Sequence, residues 1–132
     1  MRLPDQIRQA IEAHSRWEYP WEACGLIAAD AFGSIRMAYC LSNLERNPNR
    51  FTLDPAEHFG AQSHAEKHGW HIAGSFHSHP RSVAKPSAHD IAGALDPTWI
   101  YVIAGPVGTT IPVRSFRIRS GSATEIDTLG TR

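Results

Sequence analysis

His77-Ser78-His79-Pro80, with Ser87 and Asp90 a short loop later, is the stretch on which the reading of this chain turns. Side chains alternate along an extended segment, so His77 and His79 face the same side. Two imidazoles so placed can grip one metal ion, and Asp90, eleven residues after His79, can return as a third ligand. Two neutral imidazoles and one aspartate form a three-ligand set, which catalytic zinc uses when a fourth position stays open for water. Ser87 lies three residues before Asp90, so on a helical turn both share one face and a hydroxyl donor comes beside the metal. Ser87 to Asp90 also reads as a helix start, with Ser87 at the N-cap and Asp90 near N3. Either half of the pattern alone is weak. Both halves at this spacing favour a site.

Composition sets the frame. A chain of 132 residues is long enough to bury a core without disulfides or a structural metal, and residues 1–132 are expected to form a single domain. The formal net charge is zero and no basic block occurs, so neither nucleic acid nor an anionic membrane is favoured as a partner. No apolar run reaches spanning length, and the first residues lack the apolar core of a signal peptide. Cys24 and Cys40 form no CxxC pair and read as small buried residues in a reducing compartment, so a cytoplasmic location is expected.

Around the central stretch the chain alternates between helix and strand patterns. Ile7, Ala10 and Ile11 predict a short helix from Asp5 to about His14. Trp17, Tyr19 and Trp21 alternate and are expected to pack in the core. Residues 26–41 read as a hairpin turning at 31–34, and Phe51-Thr52-Leu53 as a brief strand. Asp54 caps a helix with Pro55 at N1, stopped by Gly69. On that helix His64 and His68 sit four apart, but Glu66 does not follow His64 directly as the His-Glu-x-x-His pattern requires. The pair reads as helix surface. Residues 70–76 read as a central strand delivering His77 and His79 at its end, with Gly74 allowing close approach of a neighbouring backbone. A mobile loop at 81–85, a helix from Ser87 through Leu95, a buried strand at 99–103 and strands near 111–119 and 123–128 complete the order. His89 is expected to point off the site. The pattern implies an α/β fold with a mixed sheet and helices against it.

Glu22-Ala23-Cys24-Gly25 leads into the apolar run Leu26-Ile27-Ala28-Ala29. Nothing in the physics of that segment selects Glu22 over Glu18. Taken with His77-x-His79, seven residues, then Ser87-x-x-Asp90, it resembles the JAMM (MPN-plus) zinc metalloprotease family over about residues 19–116. Arg50-Phe51-Thr52-Leu53-Asp54-Pro55 and Pro86-Ser87 are similar to its small prokaryotic members. The resemblance implies a mixed-sheet α/β/α sandwich, cytidine-deaminase-like in architecture, with Zn2+ on His77, His79 and Asp90. It implies Glu22 as general base and proton shuttle, and Ser87 as hydrogen-bond donor to the oxyanion. The implied activity is hydrolysis of the amide or isopeptide bond after the C-terminal Gly-Gly of a ubiquitin-like protein, with a sulfur-carrier protein favoured as substrate. A carrier tail is expected to add as a strand to a sheet edge near the metal. The alternatives are a deubiquitinase-like isopeptidase of another tagging system and a non-catalytic MPN-type scaffold. The complete set of five residues counts against the scaffold. A zinc deaminase would need His-x-Glu and Pro-Cys-x-x-Cys, and neither occurs.

Overall fold

A computed structural model describes residues 2–128. In chain order the elements are α1 (Asp5–Glu18), β1 (Cys24–Ala29), β2 (Ile35–Leu41), α2 (Pro55–Lys67), β3 (His71–Ser78), α3 (Ala88–Gly93), β4 (Ile100–Ala104), β5 (Val113–Arg119) and β6 (Ser122–Ile126). The strands form one sheet in the order β2-β1-β3-β4-β5-β6. Only β3 and β4 run parallel, joined by the crossover that contains α3; every other neighbouring pair is antiparallel.

Alternation along the strands separates two cores. Ile27 and Ala29 of β1, Phe76 of β3 and Val102 and Ala104 of β4 pack with Leu3 and Ile11 on the α1 face. Leu26 packs with Leu41 and Ala61 of α2, while Ile103, Phe116 and Ile118 meet Ile91 and Ala94 around α3. Helices therefore cover both faces, and the expected α/β/α sandwich with a mixed sheet is what the chain forms. Gly74 permits a close approach: a Cβ there would lie 2.2 Å from the Ile100 carbonyl oxygen across the parallel β3–β4 pairing. Among the described residues no helix is long and apolar enough to cross a membrane.

Several expectations about elements need correction. Helix α1 runs past His14 to Glu18, because nothing in Arg16-Trp17-Glu18 breaks it before Tyr19-Pro20. Its buried stripe follows Ile7, Ile11 and Ser15, and Trp17 lies about 200° round the helix from Ser15. Trp17 is accordingly 84% exposed and Tyr19 45% exposed, which overturns the reading of both as core. Phe51-Thr52-Leu53 forms a single bridge, Asn43 to Leu53, and no strand. Helix α3 ends at Gly93 and leaves Leu95 exposed, since the Tyr101 hydroxyl engages both the Asp96 amide and the Asp96 carbonyl. Cys24 is buried as expected, whereas Cys40, on edge strand β2, is exposed. The hairpin at 26–41 and the Asp54–Pro55 helix start are found as read, with Asp54 accepting from the Ala56 amide at 2.9 Å.

Candidate metal centre

Strand β3 delivers His77 on the face opposite Phe76, and the extended backbone continues one step further. The His79 amide donates to the Ala104 carbonyl at 2.8 Å, which keeps His79 in register beside β4. The two rings therefore face one way, with their Nε2 atoms 3.2 Å apart. Helix α3 brings Asp90 against them. Its Oδ1 lies 3.2 Å from His77 Nε2 and its Oδ2 3.0 Å from His79 Nε2. Among the described residues this is the one group of three or more His, Cys, Asp or Glu able to hold a metal ion.

The donor set fits zinc. Two imidazole nitrogens and a carboxylate oxygen are donors that zinc takes, and one donor atom from each residue lies within 4.8 Å of the others. The orientation of His79 is also set. Its Nδ1 lies 2.8 Å from the Val83 carbonyl, an acceptor only, so Nδ1 donates there and Nε2 is the ring atom turned to His77 and Asp90. The loop at 81–85, expected to be mobile, is tied at this point and buries Ala84. His77 is steadied differently, by the Phe51 ring stacked on it at 5.0 Å. Burial pushes the Asp90 carboxyl up, but hydrogen bonds from His77, His79 and the Ser87 amide together outweigh it and hold the group well below the usual carboxylate range.

The cap reading and the site reading of Ser87 and Asp90 both hold. Ser87 Oγ accepts from the Asp90 amide at 3.0 Å while Asp90 Oδ2 accepts from the Ser87 amide at 2.9 Å, a reciprocal capping box. The box fixes Asp90 so that its carboxylate reaches both histidines. Because Oγ already accepts, the Ser87 hydroxyl proton is available to donate outwards.

Glu22 lies beside this group, 3% exposed, with Oε1 lacking a hydrogen-bond partner among the described residues. Burial pushes its carboxyl up to about 8, against a smaller lowering by His79. It belongs to no strand, so its position depends on bonds from elsewhere. The Glu22 amide donates to the Asn47 carbonyl at 2.9 Å, and Asn43 Nδ2 donates to the Glu22 carbonyl at 3.1 Å. The next residue is clamped twice by Ser78: the Ala23 amide donates to Ser78 Oγ, and the Ser78 amide donates to the Ala23 carbonyl. Asn43 Oδ1 also accepts from Glu45 and Thr52, so this one buried side chain folds the 43–53 loop that carries Phe51. Sequence reasoning passed over Asn43, Ser78 and Phe51. Ser78 was in plain view between the two histidines, but its partner is 55 residues away.

A cleft of about 210 Å³ opens from His77 and Asp90 between Phe51, Ser75, Tyr101 and Ile103. His89 is exposed and stands outside the donor group, though it reaches the rim of this cleft. His64 and His68 are exposed on α2, as read, where His64 meets the Tyr39 hydroxyl and His68 stacks on Trp70. The strand that carries His77 is not itself an edge open to an added strand. β3 is flanked by β1 and β4, and the edges of the sheet are β2 and β6.

Residues 4–119 match the family model described as prokaryotic homologs of the JAB domain. Over 114 residues the chain is 32% identical to a protein named desampylase from Haloferax volcanii, covering 82% of each chain. Over 122 residues it is 34% identical to a CysO-cysteine peptidase from Mycobacterium tuberculosis, covering 88% of this chain and 81% of that one. A solution structure of protein DSY2949 from Desulfitobacterium hafniense superposes with a TM-score of 0.87 at 33% identity, over 97% of this chain and 90% of that one. With the His-x-His and Ser-x-x-Asp groups folded together at the end of β3, the chain belongs to the prokaryotic JAB (JAMM/MPN) domain family.

Proposed function

We propose that this protein is a zinc metallopeptidase that hydrolyses the amide or isopeptide bond after the C-terminal Gly-Gly of a ubiquitin-like protein, with a sulfur carrier as the favoured substrate. The observation that carries the reading is the convergence of His77, His79 and Asp90 at 3.0–3.2 Å with buried Glu22 alongside. Those three residues would hold the metal, which supplies a Lewis acid and lowers the pKa of water to near neutrality. Glu22 takes the proton of the attacking water as the C–O bond forms and returns it to the leaving nitrogen as the C–N bond breaks. Burial raises the proton affinity of Glu22 above that of an exposed carboxylate, which suits a group that must take up a proton and hand it on. Ser87 donates its free O–H to the oxyanion of the tetrahedral intermediate. The short connections between elements leave little room for an insertion to hold a second tagging protein, and a cytoplasmic location accords with such a substrate.

The relatives named desampylase and CysO-cysteine peptidase keep two substrate classes in view, a ubiquitin-like tag on another protein and a carrier bearing a cysteine. Both use the same chemistry, so a cleavage panel separates them. The first measurement is zinc per chain in wild type and Asp90→Ala purified without chelator. About one zinc in wild type, largely lost in the variant, is expected. Wild type without zinc, or a variant that keeps it all, would reduce Ser87 and Asp90 to a helix cap and leave an interaction scaffold as the better reading.

A further inference from the structure

Three segments adjoining the metal centre expose side chains of the kind that proteins bury. Trp17 is 84% exposed, Tyr19 45%, Leu44 54% and Val83 64%. The segments that carry them are connected. The Arg81 guanidinium lies over the Tyr19 ring and that of Arg46 over the Trp21 ring, each 5.9 Å from the centroid, which ties the end of α1 to both loops. Each segment also runs directly into the site. Trp21 precedes Glu22, Asn43 beside Leu44 holds the Glu22 carbonyl, and the Val83 carbonyl holds His79. None of these exposed side chains lines the cleft that opens beside His77.

The charge of this surface differs from that of the chain. Segments 16–22, 44–50 and 81–85 carry five Arg or Lys against two carboxylates besides buried Glu22, in a chain of formal net charge zero. A guanidinium resting on an aromatic face is held in place and still presents N–H donors to a carboxylate. Exposed aromatic rings with ordered arginines, depleted of acids, are the composition of a protein-docking patch. An exposed apolar patch of this kind otherwise costs solubility without return.

Resting on the peptidase reading, we propose that the Trp17–Tyr19–Arg46–Arg81 face docks the folded body of the ubiquitin-like substrate, whose tail enters the metal site. The occupant is a folded carrier that presents carboxylates around an apolar centre. Position supports this choice of partner: the face borders the site on its Glu22 side, so a bound body sits next to the groups that act on its tail. The cleft lies apart and receives extended chain only.

Two double variants test the proposal, Trp17→Ala with Tyr19→Ala and Arg46→Glu with Arg81→Glu. Each is assayed on folded CysO carrying a C-terminal cysteine and on a peptide of its last eight residues. On the folded substrate KM is expected to rise about tenfold or more, with kcat, zinc content and peptide cleavage unchanged within about twofold. The Arg variants should also lose the salt dependence of KM. Equal losses on both substrates, or no loss on either, would overturn the docking face. Should wild type cleave neither substrate, the reading of a CysO-type carrier as substrate fails by itself, and the face is then judged by titrating folded CysO against wild type and variants by calorimetry. Binding by wild type that the variants lose supports it, and absent or unchanged binding rejects it.

Discussion

Glu22 is a carboxyl group removed from water without a partner for Oε1, and that has a cost in stability with a definite sign. Its pKa is about 8 in the folded chain against an ordinary value of 4.5. Between those values the folded state keeps a proton that the unfolded state gives up. The folded state is therefore at its most favoured below about 4.5, and this contribution is lost as pH rises through 8. Glu22→Gln keeps the shape and removes the titration. In metal-stripped protein it is expected to raise unfolding free energy by about 3 kcal/mol at pH 8.5, from the size of the shift discounted for water penetration, and to change it little at pH 4. Urea melts at the two pH values measure this, and equal stability at pH 8.5 would mean that the carboxylate finds solvation. The same variant should keep its zinc and lose about 10²–10⁴-fold in kcat. At this scale the sequence was legible wherever spacing along a strand or helical turn brings residues together, which covers His77, His79, Ser87 and Asp90. Glu22 was reached only through family resemblance, because its selection over Glu18 depends on where the chain buries it. Asn43, Ser78 and Phe51 were silent, since each acts through contacts that no local pattern encodes.

Helix α3 is six residues long and buries none of them, so its place depends on its cap and its ligand. Ser87 serves the cap with its lone pair and is proposed to serve the reaction with its proton, and the two roles can be separated. Glycine is tolerated at an N-cap at a loss of only a few tenths of a kcal/mol, where alanine costs about 1 kcal/mol. Ser87→Gly is thus expected to melt close to wild type and retain zinc, while kcat falls about 10²–10³-fold as an oxyanion donor is removed. A melting point, a metal analysis and a rate on one variant decide the point. Loss of zinc together with activity would show that the hydroxyl acts by holding Asp90 in place, and the donor role would be dropped. Elements with strong local signals, such as the 26–41 hairpin and the capped α2, were read correctly. Those whose limits depend on tertiary partners were not. Nothing local says that Tyr101 will draw Asp96 away from α3, or that Thr52 will bond to an asparagine side chain instead of a strand.

The whole molecule places its site where the sheet changes direction. β3 and β4 are the parallel pair within an otherwise antiparallel sheet, and α3 is the crossover between them. Parallel strands require such a crossover, and ligands favour the crevice beyond their carboxyl ends. His77 ends β3, His79 continues beside β4, and Asp90 comes from the crossover. Strand order is what periodicity could not supply. That β1 lies between β2 and β3, and so brings the preceding Glu22 beside the histidines, follows from pairings up to 53 residues apart, such as Cys24 with His77. A metal on the three ligands would join two parts of unequal strength, a strand buried at the centre of the sheet and a short helix with no buried residue. Binding energy in such a site acts on the weaker part first. Hydrogen exchange followed residue by residue, with zinc and after chelation, is the measurement. With zinc, the amides of Asp90 and Ile91, which bond within the cap and first turn of α3, are expected to exchange at least about tenfold more slowly. Amides of β1, β3 and β4 should change far less, because the two cores hold them whether or not metal is present. If α3 exchanges at one rate in both states, the capping box alone fixes Asp90 and the metal adds nothing to the position of the helix. If the central strands loosen as well, the metal is a fastening of the whole sheet, and the chain would need it to fold.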